Sequence, residues 1–111
     1  MAQLLVPSST GELFDKLSIL EIKLDRIKSE VALENVNREY RQLQNIFNQH
    51  DLNTEAAMYI FAELKDLNEK LWDIEDQIRE KERMKLFDDE FIRLARSVYM
   101  TNDERSKTKR K

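Results

Sequence analysis

The sequence predicts an all-α protein, an antiparallel bundle of three or four long helices, and three observations carry that expectation. One glycine and one proline in 111 residues leave almost nothing to punctuate strands and tight turns. Leu, Glu, Lys, Arg and Ile dominate, residues that lose little side-chain freedom in a helix or that face its core. Apolar residues recur at three- and four-residue intervals along most of the chain, the spacing of a single helix face. At this length the chain reads as one domain over residues 1–111. A domain of this size is marginally stable unless it packs long helices or oligomerises.

Residues 1–8 read as an extended arm, because Pro7 disfavours helix at Val6. Ser9 with Glu12 three positions later fits a capping box and opens the first helix. Leu13, Leu17, Leu20, Leu24 and Ile27 form its stripe, while Phe14, Ile19 and Ile22 add apolar surface on other sides. A helix apolar over so much of its girth belongs at the centre of a fold or of an oligomer. On that ground a homodimer burying part of Phe14, Ile19 or Ile22 is expected. The first break falls between Glu30 and Val36, with Asn35 and Asn37 as candidate caps. A second helix then runs to about Asn48 on Val36, Tyr40, Leu43 and Phe47.

Residues 49–54 form the clearest loop, and Asn53 or Thr54 can cap the next helix. This third helix keeps its period from Ala57 through Ile60, Phe61, Leu64, Leu67, Leu71, Ile74 and Ile78 to about Arg83, and spans roughly 45 Å at ~1.5 Å per residue. Phe87-Asp88-Asp89 restarts the chain, with a carboxylate at the positive end of the helix dipole. The fourth helix carries Phe91, Ile92, Ala95, Val98 and Tyr99. Its basic end, Lys107 to Lys111, reads as a solvated terminus matched to the dipole.

Composition removes several classes of function. With no cysteine there is no disulfide framework, thiol catalysis or cysteine-ligated zinc, and the single histidine, His50, makes a His-rich metal site impossible. No metal site and no cofactor is assigned. Lys and Arg number 19 against 22 Asp and Glu, which argues against a nucleic-acid binder with a basic surplus. The apolar run near the N-terminus, Leu4-Leu5-Val6, is too short for a signal-peptide core, and no apolar run reaches the length of a membrane span, so no membrane association and a cytoplasmic location are expected.

The informative feature is polar. Past Tyr99 the stripe of the fourth helix continues into Asn102 and Arg105, with Asp103 beside them. Asn68, Trp72, Glu75 and Arg79 succeed one another along the border of the third helix's apolar stripe. On the first helix Asp15 and Arg26 flank Ile19 and Ile22. If the last two helices form a hairpin turning near Lys85, facing residue numbers total about 171, within one turn. Asn68 then lies level with Asp103, Trp72 with Tyr99, and Glu75 with Arg96. If the first helix runs parallel to the third, an offset of about 53 brings Asp15 to Asn68, Ile22 to Glu75 and Arg26 to Arg79. Two layers result: Asp15, Asn68, Trp72, Asn102 and Asp103 in one, and Glu21, Arg26, Glu75, Arg79 and Arg96 in the other.

Three readings of these layers stay open. They can be structural ion pairs that set which helices pair. They can line a cleft for an anionic small molecule, with arginines for phosphate or carboxylate and Trp72 and Tyr99 for a sugar or base. Or Asp15, Glu75, Asp76 and Asp103 can hold a hard cation such as magnesium in an enzyme acting on a phosphorylated sugar or nucleotide. Whether there is catalysis the residues leave undecided.

Three blocks carry a resemblance: residues 6–23 (VPSSTGELFDKLSILEIK), 68–79 (NEKLWDIEDQIR) and 91–105 (FIRLARSVYMTNDER). They resemble a family of small bacterial and phage helical proteins known as a domain of unknown function. The middle block is also similar to part of a second uncharacterised family with an Asn-x-x-Leu-Trp-x-x-Glu-Asp-x-x-Arg run. Members tend to occur near glycosyltransferases of surface-polysaccharide synthesis, so the resemblance implies a sugar-nucleotide or glycan context and an accessory or binding role. The matching residues are Asp15, Lys16, Glu21, Asn68, Trp72, Glu75, Asp76, Arg79, Asn102, Asp103 and Arg105. With Arg26, Arg96 and Tyr99 from the register they make up the expected ligand-binding set.

Overall fold

The computed structural model describes residues 4–111. They form four helices: α1 (Thr10–Arg26), α2 (Glu30–Gln49), α3 (Glu55–Met84) and α4 (Asp89–Lys109). Each starts on a side-chain cap. Ser9 accepts the N–H of Glu12 at 3.1 Å, Ser29 that of Ala32 at 3.4 Å, Thr54 that of Ala57 at 3.1 Å, and Asp88 that of Phe91 at 3.0 Å. These oxygens satisfy donors that a helix leaves free at its first turn. Only the serine half of the expected capping box is made, because the Glu12 carboxylate turns instead to the Lys109 ammonium, 3.2 Å away.

The first break departs from expectation. It lies at residues 27–29, where Ile27 turns extended, and Ser29 rather than Asn35 or Asn37 is the cap. Asn35 and Asn37 sit inside α2. Once Ser29 has closed the first turn, the helix formers Glu30, Ala32, Leu33 and Glu34 carry it onward. The other two turns are sharper: Asp51 and Lys85 take left-handed conformations at φ 53° and 55°.

α1 is the centre of the molecule and packs on all three other helices, whereas the α2 backbone reaches neither α3 nor α4. Ring contacts of Phe14 with Phe47 and Phe61, at 5.9 and 6.1 Å, join α2 and α3 through α1. The pairs Phe14–Phe47 and Glu21–Tyr40 make α1 and α2 antiparallel. Lys81–Glu90 near the turn and Glu63–Thr108 at the far end do the same for α3 and α4. α1 runs with α3 and against α4. The longest extent of the fold, 48 Å, is about the length of α3.

The core consists of Phe14, Leu17, Leu20, Ile22, Val36, Leu64, Leu67, Leu71 and Leu94. Phe14 and Ile22 are 1% and 2% exposed and Ile19 is half-buried, so a single chain covers the girth of α1 by itself. The apolar girth of α1 therefore does not require a second copy. The inward face of α4 is also corrected. It is Phe91, Leu94, Val98, Thr101, Arg105 and Thr108, while Ile92, Ala95 and Tyr99 face outward. Successive helical residues lie about 100° apart, so Phe91 and Ile92, or Val98 and Tyr99, cannot both enter the groove between α1 and α3.

The basic end of α4 is docked as well. Thr108 is 2% exposed and donates to Glu63 at 3.2 Å, Lys111 lies 3.4 Å from Glu63, and Lys109 reaches Glu12. Gly11 makes the closest approach: a β-carbon there would lie 2.0 Å from the Lys109 carbonyl oxygen. Of the expected arm, residues 1–3 lie outside the described residues. Leu4, Leu5 and Val6 are exposed and border a groove lined by Leu13, Leu43, Ile46 and Leu52. Among the described residues no helix is long and apolar enough to cross a membrane.

Candidate functional site

Asn68 is brought to the α1 interface by the same face of α3 that carries Leu64, Leu67 and Leu71, and is itself 1% exposed. Its amide nitrogen donates to the Asp15 carboxylate at 2.9 Å and to the Ser18 hydroxyl at 2.9 Å. Its carbonyl accepts from Arg105 at 3.1 Å. Ser18 in turn donates to the backbone carbonyl of Asp15 at 2.7 Å. The partners settle the orientation of the amide, because a flipped Asn68 would set oxygen against carboxylate and nitrogen against guanidinium. Lys109 Nζ lies 3.8 Å from the other Asp15 oxygen, and Arg105 Nε 3.9 Å from the first. A carboxylate 5% exposed is thus held by an amide and two cations, the condition under which burying a charge is tolerated. Arg105 Nε is the one buried side-chain polar atom among the described residues without a hydrogen-bond partner.

The network joins α1, α3 and α4, and its polar groups are turned toward one another. Of the first expected layer, Asp15 and Asn68 converge, with Arg105 as the member from α4. Trp72 and Asn102, each one turn away along its helix, are half-buried flanks. Asp103 is exposed. Relative to the expected register the facing pair is Asn68–Arg105, and a shift of two residues turns a helix by about 200°.

The second layer does not assemble. Arg26 pairs with Asp73 at 2.7 Å and lies 5.9 Å from the Trp72 ring centre, instead of meeting Arg79. Arg79 pairs with Asp76 on its own helix, and both are exposed. Glu75, Arg96, Tyr99 and Lys16 are also exposed. With Asp15 committed and Glu75, Asp76 and Asp103 outside the interior, the carboxylates named for a cation do not meet. Among the described residues no three His, Asp or Glu side chains form a group able to hold a metal ion.

Glu21 belongs to a different place. The departure of α2 from α3 opens a cleft of about 600 Å³ lined by Glu21, Asp25, Arg26, Tyr40, Lys65 and Glu69. The Tyr40 hydroxyl donates to Glu21 at 3.3 Å and Lys65 donates to it at 3.0 Å. Burial first, and then the Glu21 charge, pushes the Tyr40 phenol above its usual range. The hydrogen bond to Glu21 raises the Lys65 ammonium. Among the described residues Asp25 and Glu69 are in no ion pair, so the cleft has carboxylate acceptors to spare.

Sequence reasoning missed Ser18, Tyr40, Glu63, Lys65, Asp73, Thr108 and Lys109. Three of these were within reach. Glu63 and Thr108 obey the same numerical total that placed Asn68 against α4, and Ser18 comes one turn after Asp15. Tyr40 and Lys65 depend on where α2 docks, which no pattern in the chain announces.

A small all-α bundle, four helices locked by an interior Asp–Asn–Arg network with a polar cleft beside it, is the class that fold and site define among the described residues. The chain belongs to the family described as a family of unknown function (DUF6165), whose pattern matches residues 4–111. No curated protein and no solved structure matches it significantly.

Proposed function

We propose that the protein is a helical binding module whose ligand seat is the cleft between α1, α2 and α3, and that it takes the hydroxyl groups of a sugar. The observation that carries this reading is the chemistry of the lining. Glu21 is shared between Tyr40 and Lys65, while Asp25 and Glu69 keep free acceptor oxygens at the edge of an open hollow. Carboxylates accept hydrogen bonds from sugar hydroxyls, and from an amino-sugar ammonium they accept charge-assisted ones. The phosphates of a sugar nucleotide are served less well, since Lys65 is held by Glu21 and Arg26 by Asp73. The expectation of an anionic ligand is therefore narrowed to the sugar. The resemblance to proteins that occur near polysaccharide glycosyltransferases points the same way. The Asp15–Asn68–Arg105 network is given the structural role, since Asn68 is fully engaged by its neighbours and only Arg105 Nε lacks a hydrogen-bond partner.

The test is a backbone-amide NMR titration of the whole chain with a neutral hexose, an amino sugar and a nucleoside diphosphate as separate probes. Shifts around Glu21, Tyr40, Lys65 and Glu69 with one of the sugars, lost in Glu69→Gln, support the reading. Shifts with the nucleoside diphosphate alone, or none in the cleft with any probe, would overturn it.

A further inference from the structure

The outward side of α4 carries a row that neither the core nor the cleft uses. Asp89, Arg93, Arg96, Met100, Asp103 and Lys107 alternate steps of four and three residues, and all are exposed. At 100° per residue they lie within about 40° of one line, opposite the buried Leu94 and the half-buried Val98 and Arg105. None of the five charged members is in an ion pair among the described residues. Ile92, Tyr99 and Met100 add apolar surface on the same side, at 54%, 69% and 58% exposure. A shallow hollow of about 400 Å³ runs along it, bordered by Ile92, Arg96 and Met100.

The order of charges along this row is self-complementary when reversed. From Asp89 to Lys107 it runs negative, positive, positive, apolar, negative, positive. We propose that two copies of the chain associate through this seam, α4 against α4, antiparallel about a two-fold axis level with Val98. That register sets Asp89 against the partner's Lys107, Arg93 against the partner's Asp103, and Arg96 against the partner's Met100. Symmetry repeats each pairing, giving four opposite-charge contacts around a centre where the Met100 side chains enter the hollows beside Arg96. A two-fold interface must be complementary to itself, and this row meets that requirement in one register. A parallel pairing sets every charge against its own copy and is disfavoured. Exposed charge pairs contribute little each and are screened by salt, so the dimer is weak and dissociates as ionic strength rises. The association does not rest on the reading of the cleft, which lies on the other side of α3.

The experiment is sedimentation velocity on the full chain at low salt, from micromolar to about 1 mM, the range that resolves a weak dimer. Arg93→Asp and Asp103→Arg each set like charges together twice, and each is expected to weaken self-association at least about tenfold. Circular dichroism of both variants should be unchanged, because both positions are exposed. An equimolar mixture of the two variants restores both opposite-charge contacts between unlike chains. It is expected to associate about as tightly as the unmodified protein, an outcome that damage to the fold cannot imitate. A protein that stays monomeric throughout, single variants that associate undiminished, or a mixture that fails to recover would each overturn the proposal.

Discussion

Asn68 donates to Asp15 at 2.9 Å across 53 residues of sequence, and the same amide accepts from Arg105 on a third helix. Each of these helices would pack by its apolar face alone. What Asn68 adds is a unique height and rotation for α1 and α4 against α3, since a slide by one turn would leave a buried amide, a buried carboxylate and a half-buried guanidinium without partners.

Replacing Asn68 tests that role. Asn68→Leu keeps the number and branching of the side-chain heavy atoms but leaves Asp15 and Ser18 without the Asn68 donor and Arg105 without its acceptor. Each stranded group costs ~1–3 kcal/mol, so we expect a loss of about 3 kcal/mol and a fall in melting temperature of roughly 10 °C. Asp103→Leu, the neighbour expected to share the layer, is exposed and should change stability by less than about 0.5 kcal/mol. Equal effects of the two substitutions in urea unfolding would contradict this assignment.

Gly11 sets the distance between α1 and α4. In most helix interiors Gly→Ala stabilises by up to ~1 kcal/mol. At Gly11 the added carbon would lie 2.0 Å from the Lys109 carbonyl oxygen, so the last turns of α4 must move and the contacts of Thr108 and Lys109 go with them. Gly11→Ala is expected to lower stability by about 2 kcal/mol or more, in the range of overpacked contacts. Hydrogen exchange should speed up at the end of α4 before it does at Leu94. A neutral or stabilised variant would mean that α4 does not hold this close approach in solution.

These residues also show how much was legible in the sequence. Four amphipathic helices and the inward stripe of α3 come from periodicity, and the offset that joins Asp15 to Asn68 comes from taking α1 parallel to α3. The hairpin total was accurate enough to predict contact between Asn68 and the polar end of α4. It was not accurate enough to choose Arg105 over Asp103, because a helix converts a small error along its axis into a large rotation. The break at residues 27–29 has no Gly or Pro to mark it. The inward face of α4 was ambiguous because Ile92 and Tyr99 are as apolar as Leu94 and Val98, and only the groove between α1 and α3 selects between them. The partner of Arg26 was missed because a long side chain reaches a neighbour that Cα register does not name.

Asp88 ties the α3–α4 turn to pH. Its carboxylate accepts the Phe91 N–H and then the Lys81 ammonium, and these hold it below the usual carboxylate range. A carboxyl depressed in the folded state contributes stability that is present above its unfolded pKa, about 3.9, and is lost as pH falls through the folded value. Asp88→Asn keeps the capping oxygen and removes the charge. Melting temperatures of the two proteins should differ near neutral pH and converge as acid protonates Asp88. Parallel curves across the whole range would show that the charge contributes nothing there.

Tyr40 provides the alkaline counterpart and reports on the cleft. Its phenol is half-buried between α1 and α2 and donates to Glu21, so ionising it sets a phenolate beside a carboxylate. Burial is the larger cause of its raised pKa and the Glu21 charge the next, with Lys65 opposing. A pKa raised in the folded state gives stability fully present below the unfolded value of about 10 and lost as pH rises through the folded one. Phenolate absorbance tracked upward in pH should therefore end in a late step that Tyr40→Phe abolishes. Glu21→Gln should bring that step to lower pH without removing it. Above the step, α2 should loosen first, because it packs on α1 alone, and Phe47 should gain exposure while Leu64 stays protected. A titration in which Tyr40→Phe leaves the late step in place would show that the Tyr40–Glu21 contact is not held in solution.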